Sequence, residues 1–207
     1  MKYQMKIELD ALPEKDRLEK TRIYVDHVLA CLTKLRQISG GFIYDGEKPV
    51  AIHDGKALEV VELLEELGDE PVLIWCQYQY EIEHLRAVLQ DNGYQVGTAY
   101  GKTKDLNANI YAFKDNRIQI LIANPRTLQY GVTLTNCCYA IYYSTSYSYE
   151  EYYQSHDRIY RKGQSRPCTY IFLQCKDTID KIMFEVIQRK QSQTEMIEQT
   201  IKHIYSA

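Results

Sequence analysis

The sequence lacks an apolar run near the roughly twenty residues that a helix needs to cross a bilayer, and its N-terminus has no apolar signal region. We therefore expect a soluble, cytoplasmic protein with no membrane partner. The six cysteines include no C-x-x-C pair, and the five histidines do not gather around them, so we predict no metal site. With 45% hydrophobic and 26% charged residues, the 207-residue chain is neither intrinsically disordered nor a disulfide-stapled mini-protein.

The net charge of −3 is unevenly distributed along the chain. Residues 51–70 hold seven acidic residues and one lysine, so the rest of the chain is net positive. Four basic residues gather near position 160, namely Arg158, Arg161, Lys162 and Arg166. A local basic surface of this kind favours a phosphate-bearing partner.

Short and almost continuously apolar runs alternate with amphipathic segments. The apolar runs are typical of strands that are covered on both faces, and a spacing of three or four residues indicates helices. This alternation implies βαβ crossovers, and hence an α/β fold with a parallel sheet flanked by helices. The predicted strands are 71–76, 94–99, 118–122, 139–143 and 169–173, and the predicted helices are 58–67, 82–89 and 106–113.

Two helical patterns flank this core. Residues 13–35 predict a helical arm, which a turn-rich passage through Gly41 and Gly46 connects to the core. From Thr178 to about Ile204 the spacing of apolar residues predicts a C-terminal helix that is broken near Gln191.

The tripeptide at 101–103, Gly-Lys-Thr, resembles the end of a P-loop. That loop needs a glycine five residues before its Gly-Lys, where this chain has Val96. We therefore predict a turn at the end of a strand, followed by a helix N-cap at Thr103.

The most informative string runs from Gln154 to Gln164 and reads Q-S-H-D-R-I-Y-R-K-G-Q. Because Arg158 and Arg161 are three residues apart, we predict that they share one helix face and reach one anionic group together. Arginine binds phosphate bidentately, and an arginine finger stabilises the charge that develops during phosphoryl transfer. An isolated R-x-x-R is typical of a solvated basic face, whereas the complete string between two strands favours the phosphate interpretation.

From about residue 35 to residue 190, the chain resembles the C-terminal (second) RecA-like lobe of superfamily-two DNA motors of the Swi/Snf type, particularly the compact phage and bacterial members. The resemblance implies a RecA-like parallel sheet flanked by helices. It divides the chain into a helical arm or linker (1–50), the lobe itself (51–190) and a helical tail (191–207). The matching segments are Leu35-Arg36-Gln37, Lys56, Pro71–Tyr78 (fourth motif), Gly101, Ala123–Leu134 (fifth motif), Gln154–Gln164 (sixth motif) and Thr178-Ile179-Asp180.

The resemblance also implies roles for individual residues. Arg158 and Arg161 would contact the γ-phosphate of ATP, and Gln154 would align their helix with the nucleotide. Gly131 and Thr133 would lie near the ribose or in a relay between nucleotide and DNA. The implied contacts with the DNA backbone are Gln77, Lys102, Asn124, Arg126 and Thr127.

The sequence has neither a Walker A loop nor a D-E-x-[HD] strand end. We therefore expect ATP and Mg²⁺ to be held mainly by a first RecA-like lobe, which lies either in a longer polypeptide or on a separate chain. The start at a helical arm favours the longer polypeptide. This chain alone is expected to be inactive, and the complete protein is expected to be an ATP-dependent translocase or helicase acting on duplex DNA.

The fifth motif departs from the family pattern. Leu128 and Gln129 replace its paired glycines, and Thr133 replaces its asparagine. This departure keeps open a second hypothesis, a non-catalytic nucleic-acid-binding or protein-interaction module derived from the same fold. A third hypothesis, a free-standing α/β enzyme, has no nucleophile–base pair to support it.

Overall fold

The computed structural model describes residues 29–128 and 132–189. The strands within these residues are β1 (Phe42–Asp45), β2 (Lys48–Ala51), β3 (Val72–Trp75), β4 (Val96–Ala99), β5 (Ile120–Ala123), β6 (Tyr139–Tyr142) and β7 (Thr169–Phe172). The helices are α1 (29–39), α2 (Gly55–Leu67), α3 (Gln79–Asp91), α4 (Leu106–Lys114), α5 (Tyr149–His156) and α6 (Ile179–Gln188).

The centre of the fold is a parallel sheet with the strand order β4-β5-β3-β6-β7. Each of its strands overlaps one of the five apolar runs, so the predicted α/β class and parallel sheet are confirmed. The central strand β3 is buried along its whole length, because it has a strand on each side and helices on both faces.

The two faces of the sheet bury separate halves of each apolar strand, since successive side chains point to opposite faces. Val72 and Ile74 pack with residues of α2 and α3, including Leu64 and Leu85. On the other face, Leu73 and Trp75 pack with residues of α4 and with Ile159. Covering both faces explains why the strands are apolar throughout rather than alternating.

The two flanking helices pack against each other. Leu32 of α1 joins Ile179, Met183 and Val186 of α6 in a buried cluster. Thr178 caps α6, because its Oγ1 accepts a hydrogen bond from the backbone N–H of Asp180 at 3.3 Å. Residues 1–28 and 190–207, which hold the rest of the two predicted flanking helices, lie outside the described residues.

The turn-rich passage before α2 is an antiparallel hairpin, which the sequence analysis missed. Asp45 pairs with Lys48, so Gly46 and the next residue form a two-residue turn, and Gly46 has a φ of +59°. An Asp-Gly pair is a strong signal for such a turn. Phe42 is fully buried and packs the hairpin against the start of α3. The centroid of its ring lies 4.7 Å from that of the Tyr80 ring.

One predicted cap is wrong. Helix α4 begins at Leu106 with Asp105 at its N-cap, so Thr103 lies in the preceding turn. Its Oγ1 accepts a hydrogen bond from the backbone N–H of Tyr100 at 3.1 Å, and that bond closes the turn rather than the helix. Among the described helices, none is both long and apolar enough to cross a bilayer.

Candidate functional site

The predicted DNA-contact residues all lie in connections that leave the carboxyl ends of neighbouring strands. Gln77 follows β3, Lys102 follows β4, and Asn124, Arg126 and Thr127 follow β5. Because β4, β5 and β3 are adjacent and parallel, these connections share one edge of the sheet, where open α/β sheets bind their ligands. Lys102 is exposed in its turn.

Asn124 organises this edge through its side-chain amide. Its Nδ2 donates to the carbonyl oxygens of Cys76 at 3.2 Å and Gln77 at 3.0 Å, which ties the end of β5 to the end of β3. Its Oδ1 accepts a hydrogen bond from the backbone N–H of Arg126 at 3.0 Å, and its carbonyl accepts one from Thr127 at 3.0 Å. The amide of Asn124 therefore holds the loop in place and has little capacity left for a ligand.

A buried carboxylate fixes the backbone at Gln77. Glu81 Oε2 accepts hydrogen bonds from the backbone N–H groups of Gln77 and Tyr78, both at 3.1 Å, and from Ser144 Oγ at 2.5 Å. Burial is the main cause that raises the pKa of Glu81, and the Ser144 hydrogen bond opposes it. These contacts set the entry into α3 and join it to the residues that follow β6.

Arg126 forms an ion pair with Glu151, a residue that the sequence analysis did not single out. Its Nε lies 2.7 Å from Glu151 Oε1. The arginine side chain is 72% exposed, whereas that of the glutamate is 11% exposed. This contact joins the fifth motif to α5, and no local sequence pattern predicts it because the partners are 25 residues apart.

The prediction that Arg158 and Arg161 lie on a helix is wrong, because α5 ends at His156 and both arginines lie in the turns that follow. A continued helix would need the Arg158 carbonyl for a bond within the next turn. That carbonyl instead accepts a hydrogen bond from the backbone N–H of Leu134 at 2.9 Å. Ile159 is fully buried in the core, so the chain turns inward directly after Arg158.

Arg158 is held firmly at the base of this loop. Its Nε donates to the Gln154 carbonyl at 2.8 Å, and its Nη1 donates to the Val132 carbonyl at 3.3 Å. Burial lowers the pKa of Arg158, and the charge of nearby Arg161 lowers it further. Gln154, which was predicted to align this segment with the nucleotide, contacts Arg158 through its main chain, while its side-chain amide donates to Glu150 at 3.1 Å.

Arg161 is exposed and makes one hydrogen bond to a predicted site residue. Its Nη1 donates to Thr133 Oγ1 at 3.0 Å. The structure thus brings together a predicted phosphate contact and a predicted ribose or relay residue. The other residue predicted near the ribose, Gly131, lies outside the described residues.

The turns after α5, residues 157–163, form the arginine loop, and Gln164 ties this loop to the segment before β6. Its Nε2 donates to the carbonyls of Cys137 at 2.8 Å and Thr135 at 3.3 Å, and its Oε1 accepts a hydrogen bond from the backbone N–H of Arg166 at 3.0 Å. The sixth motif includes this glutamine, but the sequence alone predicts no role for it. The loop borders an open cavity of about 500 Å³, which is lined by Asp157, Arg158, Tyr160, Arg161, Lys162, Gly163, Gln164 and Arg166.

The charges of this cavity are incompletely balanced. Arg166 pairs with Glu70 at 2.8 Å. Within the described part of the chain, Arg158, Arg161 and Lys162 have no ion-pair partner. Three cations and a single carboxylate among the described lining residues, Asp157, leave the cavity net positive, which suits a phosphate group.

These features define a class of protein: an α/β RecA-like lobe with a basic loop beside its sheet. The helicase conserved C-terminal domain family matches residues 55–163, about half of the chain, and the chain belongs to this family. The resemblance to the C-terminal lobe of superfamily-two helicases, which the sequence motifs indicated, is therefore confirmed.

Two relatives illustrate the similarity in sequence. Protein p41 of Acyrthosiphon pisum secondary endosymbiont phage 1 is 26% identical over 180 residues, which are 82% of this chain and 37% of p41. The chromodomain-helicase-DNA-binding protein 1-like of Danio rerio is 25% identical over 193 residues, which are 86% of this chain and 18% of that protein. The chain therefore spans well under half the length of either relative.

A solved structure supports the fold. The crystal structure of the C-terminal part of the Fun30 ATPase domain matches with a TM-score of 0.59 and 24% identity, over 64% of this chain and 45% of that chain.

Proposed function

We propose that this chain is the second lobe of an ATP-dependent DNA translocase, which supplies Arg158 and Arg161 to ATP held by a first lobe and contacts the DNA backbone at its carboxyl edge. The observation that carries the proposal is a set of three cations in the arginine-loop cavity, Arg158, Arg161 and Lys162, which have no ion-pair partner among residues 29–128 and 132–189. Family membership supports the same assignment.

The two arginines serve different purposes in this proposal. Arg158 is 9% exposed, and two of its N–H groups donate to the carbonyls of Gln154 and Val132. It therefore supports the loop and contributes positive charge. Arg161 is exposed and, within the described ranges, donates a side-chain hydrogen bond to Thr133 alone, so most of its N–H groups are available to phosphate oxygens. Arg161 is therefore the arginine finger.

The residues of the cavity fit a phosphate group better than a metal ion. Asp157 is the one carboxylate in the described lining, and Mg²⁺ requires several oxygen ligands. Bound ATP would supply the phosphoryl group that is transferred, with its Mg²⁺ held by the first lobe. Arg161 would add positive charge where negative charge develops, which is the role of an arginine finger, and the charge of Arg158 would add to this effect.

The carboxyl-edge residues supply the DNA contacts of the proposal. Gln77, Lys102, Arg126 and Thr127 lie on one edge, which suits contact with a phosphodiester backbone. Contacts of this type carry affinity and register but no sequence information. Asn124 belongs to the same edge as the residue that holds its loops together.

The test is the ATPase rate of the complete protein with and without duplex DNA. Arg161→Ala should lower the DNA-stimulated rate on the order of 10³-fold, the magnitude associated with an arginine finger. Lys162→Ala is the matched control, since it removes a neighbouring cation of the same cavity. Equal losses in the two variants would show that only bulk charge matters, and an unchanged rate in Arg161→Ala would contradict the finger assignment.

The same assay addresses the second hypothesis, a non-catalytic binding module. Leu128 and Gln129, which replace the paired glycines of the fifth motif, motivate it. A complete wild-type protein that binds DNA but hydrolyses no ATP would favour that module.

A further inference from the structure

The ion pair between Arg126 and Glu151 has one fixed and one exposed partner. Glu151 is nearly buried, whereas Arg126 is 72% exposed. The backbone N–H of Glu151 donates to Ser148 Oγ at 3.2 Å in the first turn of α5, where the helix dipole favours a carboxylate. Glu151 is therefore the fixed support, and the guanidinium is the group at the surface.

The main chain of Arg126 is fixed as well. Its backbone N–H donates to Asn124 Oδ1, and the amide of Asn124 donates to the carbonyls of Cys76 and Gln77, directly after β3. An arginine side chain has many rotamers, and ordering it costs conformational entropy. Asn124 fixes the main chain of Arg126 and Glu151 fixes its guanidinium, so the side chain is already ordered before a ligand binds.

The way in which Glu151 binds leaves most of the guanidinium free. An arginine has five N–H donors in a planar fork. Glu151 takes the Nε hydrogen, and the described residues take none of the four Nη hydrogens. A bidentate phosphate contact needs two parallel N–H groups, and the Nη groups can supply them.

The helix that carries Glu151 also reaches the arginine loop. Three residues after Glu151, the carbonyl of Gln154 accepts the Nε hydrogen of Arg158. The eight-residue helix α5 therefore holds Arg126 at its first turn and Arg158 at its last turn.

We propose that Glu151 is a positioning residue, which orients Arg126 to receive a phosphate of the DNA backbone. The inference rests on the proposed DNA contact of this lobe. Glu151 acts only through Arg126, because its carboxylate is nearly buried and its bonded oxygen is occupied by the guanidinium.

Positioning and simple electrostatics predict opposite results for the loss of Glu151. Removing a negative charge near DNA should strengthen binding if bulk charge decides. If Glu151 orients Arg126, its removal should weaken binding in spite of the lost negative charge.

The test is a double-mutant cycle in the complete protein. The readout is the duplex DNA concentration that gives half-maximal stimulation of the ATPase. Arg126→Ala and Glu151→Ala should each raise this concentration about threefold to tenfold, and the double variant should match Arg126→Ala alone. Glu150→Ala is the control, because it removes the same charge from the same helix turn while its carboxylate contacts Gln154 instead of Arg126.

The outcomes separate the two proposals. If Arg126→Ala has an effect but Glu151→Ala has none, or if the two effects multiply in the double variant, the positioning role is overturned while the DNA contact stands. If Arg126→Ala has no effect, both are overturned. If Glu151→Ala fails to fold, Glu151→Gln takes its place in the cycle, and a shift that is equal with and without Arg126 overturns the positioning role.

Discussion

Two charged clusters of this lobe differ in how fully their hydrogen-bonding capacity is used. In the first, Lys56 and Asp180 form a buried ion pair at 2.7 Å. Asp180 also accepts hydrogen bonds from Ser39 Oγ at 2.9 Å and from the backbone N–H of Cys175 at 3.0 Å, while Lys56 donates to the Tyr143 carbonyl at 3.0 Å. This cluster ties α1, α2 and α6 to the end of β6.

The second cluster is the arginine-loop cavity. Arg161 makes one described hydrogen bond, to Thr133, and Lys162 forms no ion pair within the described residues. Both clusters carry residues that resemble family motifs. In the first, which we call the closed cluster, the charged groups bind each other and nearby polar groups. In the second, the open cluster, several N–H donors have no acceptor among the described residues. Saturated contacts indicate a structural role, and unused cationic donors indicate a ligand.

The largest expected effect on stability is in the closed cluster. Asp180→Ala should lower the free energy of unfolding by about 3–5 kcal/mol, because it leaves the Lys56 charge buried without a partner. Arg161→Ala should change it by less than about 0.5 kcal/mol, since that side chain is exposed. Urea denaturation of the chain measures both. Similar losses in the two variants would remove the distinction between closed and open clusters.

A smaller effect is expected from the glutamines at the two ends of the sixth motif. Gln164→Ala should cost about 1–3 kcal/mol of unfolding free energy, because two carbonyls lose their donor. Gln154→Ala should cost less than about 1 kcal/mol, since Arg158 uses its carbonyl and not its side chain. Thermal unfolding of the pair tests this order, and a larger loss for Gln154→Ala would contradict it.

The contact between the fifth motif and the proposed finger, Arg161, should have a modest effect on rate. Thr133→Val keeps the shape of the side chain but removes the hydroxyl that accepts from Arg161. The DNA-stimulated ATPase rate should fall about threefold to tenfold, the value of one hydrogen bond of ordinary strength at an exposed site. Unfolding should be nearly unchanged. A wild-type rate would show that Thr133 does not help to place the finger.

The smallest expected effect depends on pH. The ring of His156 stacks on that of Tyr170 with centroids 3.6 Å apart, and burial lowers the pKa of His156 below 6.5, opposed by nearby Asp157. The folded state thus binds the proton less readily than the unfolded state, so stability falls as the pH drops below about 6.5. His156→Gln should show a weaker fall between pH 7.5 and 5.5 in urea denaturation. An identical pH dependence in both proteins would contradict this assignment.

The sheet and its helices could be predicted from the sequence because burial sets their pattern directly. Val72 to Trp75 are apolar because both faces of β3 are covered, and the spacing of Leu85 and Leu89 follows one buried helix face. The hairpin was missed even though Asp45 and Gly46 carry a turn signal, because its second strand is exposed along its length and lacks alternation.

Most residues of the candidate site, though not Glu151, could be named from the sequence, but their geometry could not be predicted. Arg158 leaves the helix because Leu134, which is distant in sequence, takes its carbonyl. The pairs Arg126–Glu151 and Arg161–Thr133 likewise join segments that only the fold brings together. A local sequence pattern cannot predict such contacts, because each one joins two segments that are far apart in sequence and that only the folded sheet brings together.

Single-turnover ATP hydrolysis by the complete protein, at saturating duplex DNA, tests the finger assignment most directly. We predict that Arg161→Ala binds ATP and DNA as the wild type does but hydrolyses the bound ATP on the order of 10³-fold more slowly. Hydrolysis by Arg161→Ala at the wild-type rate, with ATP and DNA both bound, would contradict the assignment of Arg161 as an arginine finger.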